Sequence, residues 1–267
     1  MPLVLGIDAA WTARGSSGVA LLACGDARTA VIAAAPSYAS FIAHARGETI
    51  AYHRPIGGVP NVDELLDAAR TLGGADVDCI ALDLPMSNRA ITERRACDNA
   101  VSRAFGARGA AVHSPTAGRP DAAVTAMVSA LRGAGYELAA RRDVTQPLLE
   151  VFPLAALVQL LGTAKREHRP KYKAAKTRTY WPQHRDREPR IDELMAEWQR
   201  IREALGARVG DLGIPFPSRE RITTFAALKP YEDAFDAVVC AWVGTEYLAG
   251  HITRYPEDQS VDAIWIP

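Results

Sequence analysis

The sequence predicts an α/β fold built around a mixed sheet. Three observations lead there. The chain opens with short β-rich apolar runs separated by turn residues, the mark of an antiparallel meander. Further along, apolar runs alternate with stretches of helical periodicity, and strands joined that way pair in parallel through crossovers. The 267 residues are 48% hydrophobic and 23% charged, enough to bury a sizeable core in one domain with an insertion.

The elements follow in order. Leu3 to Asp8 and Val19 to Cys24 read as strands joined through the turn chemistry of Arg14-Gly15-Ser16-Ser17-Gly18, and Thr29 to Ala34 supplies a third strand. Ile50 to Tyr52 reads as an irregular loop or short strand. Asn61 has N-cap chemistry, with Glu64 three residues on, and Val62, Leu65, Leu66 and Ala69 form an apolar stripe ended by Gly73-Gly74. Val77 to Leu84 is a continuous apolar strand, and Ile91 to Phe105 and Ala122 to Ala134 are helical, with Ser87 and Asn88 as candidate caps for the first. Leu148 to Phe152 is another buried strand, and a helix over Leu154 to Leu161 follows Pro153. Ile191 to Leu205 is a helix whose apolar stripe is Leu194, Trp198 and Ile201. After the Pro/Gly segment Gly210 to Pro217, a helix runs over Tyr231 to Leu248, and Ala263 to Ile266 is a short closing strand. Trp198 and Trp242 are candidates for the core or for a homodimer interface.

The informative residues are acids placed where apolar strands should have none. Asp8 ends the run Leu3-Val4-Leu5-Gly6-Ile7-Asp8, Asp83 ends Cys79-Ile80-Ala81-Leu82-Asp83, and Glu150 sits in Leu148-Leu149-Glu150-Val151-Phe152. Asp233 and Asp236, three apart and so on one helix face, open the apolar helix. Ala234, Ala237 and Ala241 let that helix lie close to a sheet. Taking an unpaired carboxylate out of water costs several kcal/mol, so each acid needs compensation. Each has a bland reading. Asp8 pairs with Arg14, Asp83 opens an Asx-turn, Glu150 pairs with a nearby Arg or Lys, and Asp233 complements the helix dipole. Four such sites in one chain favour shared compensation by divalent cations, since hard oxygen ligands suit Mg²⁺ or Mn²⁺. Carboxylates holding two such ions form the inventory of two-metal phosphoryl transfer. That chemistry needs no His or Cys, and the six His here form no HxxxH or HExxH spacing.

Taken together, Gly6-Ile7-Asp8, Asp83 on the fourth strand and the helix bearing Asp233-Ala234-Phe235-Asp236-Ala237 resemble the RNase H-like superfamily. The Asp-x-x-Asp-Ala helix is most similar to that of RuvC-type Holliday-junction resolvases. With Arg94-Arg95-Ala96-Cys97-Asp98 and Leu148-Leu149-Glu150-Val151-Phe152-Pro153, the ordered set resembles a widespread microbial family of unknown function described as predicted RNase H-like nucleases. The likeness spans residues 3 to 266. It implies one RNase H-like domain over 1–267, with a five-stranded sheet in the order 3-2-1-4-5, the first three strands antiparallel. It implies catalytic roles for Asp8, Asp83, Glu150 and Asp236, with Glu150 facing the same centre, and metal-ligand roles for Asp8, Asp83, Asp233 and Asp236. The implied activity is phosphodiester hydrolysis of DNA or RNA with two Mg²⁺ or Mn²⁺ ions. Asp8 is followed by Ala9-Ala10-Trp11 where resolvases commonly carry Pro-Gly, so the substrate-facing loop differs.

The inserted segment over about 163–217 begins with a basic stretch, ten Lys or Arg against three acids in 163–190. Lys171, Lys173, Lys176 and Arg178, interleaved with Tyr172, Tyr180 and Trp181, have the composition of a nucleic-acid surface, cations for phosphates and rings for unpaired bases. The competing reading is a solvated insertion with its rings packed on the body. Arg94, Arg95 and Asp98 could reach a phosphate or pair with nearby acids, and the resemblance favours the phosphate. His113-Ser114-Pro115 invites a hydrolase reading, but no GxSxG accompanies it. An ATP-binding protein of the actin and sugar-kinase type would need Gly-rich loops after its strands, and Asp8-Ala9-Ala10 and Asp83-Leu84-Pro85 lack them. A binding module of the same fold without catalysis is the other alternative. Net charge is zero, which disfavours a nucleic-acid-coating protein. The four cysteines are scattered without a CxxC pair, and Cys24, Cys79 and Cys240, in apolar surroundings, read as buried free thiols of a reducing, cytoplasmic compartment; no apolar run is long enough for a membrane span.

Overall fold

The computed structural model describes residues 1–267 apart from 26, 27, 114, 117, 223 and 259–261. Strands β1 (Leu3–Asp8), β2 (Gly18–Cys24) and β3 (Thr29–Ala35) form the antiparallel meander. Helices α1 (Tyr38–Ala45) and α2 (Val62–Gly73) lead to β4 (Cys79–Asp83), which lies parallel to β1. After α3 (Ala96–Phe105) and α4 (Ala122–Gly133) come β5 (Glu137–Leu138) and β6 (Pro147–Glu150), both parallel additions. Helices α5 (Pro153–Leu160), α6 (Thr177–Tyr180), α7 (Arg187–Val209) and α8 (Lys229–Ala249) follow, and a hairpin of β7 (Thr253–Tyr255) and β8 (Ile264–Ile266) ends the chain.

The main sheet is six-stranded and mixed, in the order β3-β2-β1-β4-β6-β5. Five strands were expected. The extra one, β5, is two residues at the edge, too short to show any alternation. Period-two alternation sorts the strand residues onto two faces. Val4, Ala20, Leu22, Ala34, Cys79, Ala81 and Leu149 pack with α8 and α7. Leu3, Leu5, Ile7, Val19, Leu21, Ile80, Leu82 and Leu148 pack with α1, α2 and α4.

Caps explain several boundaries. Asn61 Oδ1 accepts from the Asp63 amide, and Gly74 ends α2 at φ 74°, the left-handed turn glycine allows. Helix α3 begins at Ala96 and not near Ile91; its N-cap is Arg95, so Ser87 and Asn88 cap nothing there. Helix α7 is longer than expected at both ends, and its buried face Ile191, Leu194, Trp198, Ile201, Leu205 and Val209 keeps helical spacing throughout. Trp198 and Trp242 are both core residues. Helix α1, capped by the Ser37 hydroxyl accepting from the Ser40 amide, is an element the sequence reading did not contain. Among the described residues the four cysteines are free thiols, and no helix is long and apolar enough to cross a membrane.

The feature that positions the site is the fit of α8 against the meander. A Cβ on Gly6 would stand 2.3 Å from the Ala237 carbonyl oxygen and 2.4 Å from the Ala241 nitrogen, and one on Gly18 would stand 1.8 Å from the Asp233 carbonyl oxygen. Glycine in a strand interior weakens the strand, so its use here marks backbone contact between helix and sheet. That contact sets Asp233 and Asp236 over the end of β1.

Candidate functional site: an acid cluster with a buried lysine

Asp8 and Asp83 are register partners on adjacent parallel strands, at the carboxyl ends of β1 and β4. Neighbouring strands lie about 4.8 Å apart, so the two acids stand side by side. Both are half-buried. Among the described residues neither carboxylate accepts a hydrogen bond, so neither the Arg14 pair nor the Asx-turn holds them. Burial pushes Asp83 up to about 7, with Asp236 adding to the push and Lys173 opposing it. Asp8 is raised well above the carboxylate range by burial first and by the charges of Asp236, Asp233 and Asp83, again against Lys173. These are two acids held without the partner that would keep them ionised.

Helix α8 supplies the rest. Asp236 is fully buried, and its two oxygens are both taken: Tyr172 Oη donates to Oδ1 at 2.8 Å, and Lys173 Nζ donates to Oδ2. Lys173 Nζ also lies 3.6 Å from Glu232. Burial alone would lower the Lys173 pKa, but Asp236, with Glu232 and Asp8 beyond it, holds the ammonium well above its usual range. Asp233 accepts from Ser16 Oγ at 2.8 Å and from Lys229 Nζ. Helix α8 begins at Lys229, two residues earlier than expected, and Asp236 lies beyond its first turn, the turn in which the dipole favours acids.

The segment carrying Lys173 is pinned on both sides. The Lys171 amide donates to Glu197 at 2.9 Å, Trp198 Nε1 donates to the Tyr172 carbonyl at 2.8 Å, and the Ala174 amide donates to Glu232 at 2.7 Å. Tyr172 and Trp181 are buried and not free to stack on bases, which is the packed reading of that segment's rings. Of its expected phosphate contacts, Lys173 alone reaches the acids. Lys176 and Arg178 are exposed, and Lys171 lines a separate surface cavity with Glu167, Glu193 and Glu197.

Two of the expected site residues are engaged by protein partners. Glu150 pairs in register with Leu82, so it points to the face of the sheet opposite Asp83, although its charge still adds to the upward push on Asp83. There Arg95 holds it bidentately at 2.5 and 2.7 Å, and the Met86 amide donates to it at 2.7 Å. Burial still pushes its carboxyl up to about 7 against those contacts. Arg95 also binds Asp98, completing a buried triad. Arg94 is structural: its guanidinium bonds Asn99, Ser102 and the carbonyls of Asp98 and Val112, tying α3 to the following loop. Ser114 lies outside the described residues.

A cavity that sequence patterning missed sits on the same rim. It measures about 430 Å³ and lies between the loop after β4 and α4, lined by Arg89, Arg119 and Arg132 with no acid. The Asp121 amide donates to the Trp11 carbonyl at 3.0 Å, and the Ala13 amide donates to Asp121 at 2.9 Å, which anchors this wall to the loop after β1. Its arginines are scattered over 44 positions of sequence, so no local charge run announced them.

By donor chemistry Asp8 and Asp83 fit one hard divalent cation: two adjacent carboxyl groups whose oxygens accept no hydrogen bond from the described residues, and which a cation would favour in ionised form. Asp236 and Asp233 do not join them as placed, because lysines hold both. Among the described residues no three His, Cys, Asp or Glu are grouped closely enough to hold a metal ion together. Residues 6–261 match DUF429, a family described as a protein of unknown function. No curated protein and no solved structure gives a match.

Proposed function

This chain belongs to the DUF429 family, and we propose that it is a divalent-cation-dependent phosphodiesterase that hydrolyses DNA or RNA. The observation that carries the reading is the Asp8–Asp83 pair, two carboxyl groups brought side by side at the carboxyl rim of the sheet with no hydrogen-bond donor among the described residues. Ligands of open α/β sheets gather at that rim. Asp8 and Asp83 would hold Mg²⁺ or Mn²⁺, which when bound supplies polarisation of a phosphoryl oxygen and eases ionisation of the attacking water.

The other groups have roles of their own. Lys173 offers a fixed positive charge beside the two acids, suited to a phosphate oxygen. Arg89, Arg119 and Arg132 line a cavity suited to further phosphates of the strand. In the reaction water adds to phosphorus, the ester P–O bond breaks, and the departing oxygen takes up a proton. Buried free thiols fit a reducing compartment such as the cytoplasm.

A second reading, a nucleic-acid- or nucleotide-binding module without catalysis, is favoured by one observation: Lys173 already neutralises Asp236. Cleavage of labelled single-stranded, duplex and branched DNA and RNA with Mg²⁺, Mn²⁺ or EDTA separates the two. The phosphodiesterase reading expects cation-dependent cleavage that is lost in Asp8→Asn and Asp83→Asn. Substrate binding with no cleavage of any substrate would leave the binding module.

A further inference from the structure

We infer that Lys173 is a resident cation of the acidic site, so that the site takes one divalent ion and not two. The inference rests on the reading of Asp8 and Asp83 as cation ligands. Five acids gather around the end of β1: Asp8, Asp83, Glu232, Asp233 and Asp236. Lys229 pairs with Asp233 and lies 3.6 Å from Glu232. Lys173 pairs with Asp236 and also lies 3.6 Å from Glu232. Two ammonium groups serve Asp233, Asp236 and Glu232, and Asp8 and Asp83 are the two acids that no lysine contacts directly.

A second ion would need Asp236, whose oxygens are already bonded to Tyr172 and Lys173. It would also meet the ammonium at contact distance, where like charges repel strongly in a partly dry site. Lys173 is poorly placed to leave. Its neighbours on both sides are hydrogen-bonded to α7 and α8, Tyr172 is fully buried, and the ammonium lies 5.0 Å from the centre of the Tyr172 ring. The Lys173 side chain is nonetheless 27% exposed, so its charge is open to a substrate on one side. A lysine is a compact point charge, which is what a second ion would supply to a phosphate oxygen.

Calorimetric titration of Mn²⁺ into the full chain tests this in the wild type, K173Q and K173R. One ion per chain is expected in wild type and K173R, and two in K173Q, where no ammonium occupies Asp236 Oδ2 or repels a second cation. Two ions in wild type, or one in K173Q, would overturn the inference and leave the cation reading of Asp8 and Asp83 standing. No ion in wild type would overturn that reading and this inference with it. Should K173Q not fold, the side-chain ammonium resonance of Lys173 in lysine-¹⁵N-labelled wild type, assigned by its disappearance in K173R, gives the answer. It is expected to stay in place at saturating Mg²⁺, and its loss or collapse onto the free-lysine position would show that the ion displaces Lys173.

Discussion

Asp83 and Glu150 end neighbouring parallel strands one residue apart in register, yet they face opposite sides of the sheet and have opposite fates. On the α3 side both oxygens of Glu150 and both of Asp98 are bonded, chiefly by one guanidinium, and the group is closed to solvent. On the α8 side Asp83 and Asp8 are half-buried and accept no hydrogen bond from the described residues, and the cations nearby belong to Asp236 and Asp233. A buried acid alone is therefore no sign of a functional site. The sign is charge left over after every local partner has been used.

The largest effect expected from this contrast is structural. Arg95→Ala leaves Glu150 and Asp98 buried without their shared partner, and breaking such a group costs about 3–5 kcal/mol. Urea unfolding measures it. A loss well under 1 kcal/mol would mean that the α3 side is as open as the α8 side, and the contrast would fail.

Next comes the response to cation. An ion that binds only the folded chain stabilises it by about 2.7 kcal/mol at a hundredfold excess over Kd. Mn²⁺ should raise the unfolding midpoint of wild type and of Glu150→Gln alike, EDTA should reverse the gain, and Asp8→Asn with Asp83→Asn should abolish it. Loss of the Mn²⁺ effect in Glu150→Gln would place Glu150 in the site against its register.

The pH dependence sharpens the contrast further. Asp83 is raised to about 7, so between the ordinary carboxylate value of about 3.9 and that point the folded chain holds a proton the unfolded chain has released. Its contribution is therefore fully present below pH 4 and is lost as pH rises to 7. Asp83→Asn, measured in EDTA, should match wild type near pH 4 and exceed it above pH 7. The gain is on the order of 1–3 kcal/mol, allowing for a carboxyl that solvent partly reaches. Glu150 titrates in the same window, so some slope should survive in the variant. Equal stability at pH 8 would mean that Asp83 has a partner after all.

Sequence made the main sheet legible because its strands are buried on both faces and read as continuous apolar runs with their acids at the ends. That placed Asp8 and Asp83 at the rim, and the Asp-x-x-Asp helix placed Asp236 over them. The side of the sheet on which Glu150 points was not legible, since one residue of register reverses it and only pairing fixes register. Lys173 was picked out only as one of a run of cations. What sets it apart is Asp236, 63 residues away, together with the α7 contacts that aim it, and such non-local pairing leaves no trace in local composition. Strand β5 was missed because two residues carry too few positions for a period to show.

The smallest expected effect bears on where the substrate lies. The exposed cations Lys176 and Arg178 form the basic run that sequence would choose, whereas Arg89, Arg119 and Arg132 line a cavity between the loop after β4 and α4. For single strands each phosphate contact contributes about 0.7 to the dependence of log K on log salt, so removing three should make the slope shallower by about 2. Binding of a labelled oligonucleotide across a salt series, in EDTA to prevent cleavage, should show that change in the triple variant R89Q/R119Q/R132Q and little in K176Q/R178Q. The reverse ranking would move the strand to the inserted segment. It would also separate the charges that neutralise the acids from those that grip the substrate, because Lys173 would then lie within the binding surface and not behind it.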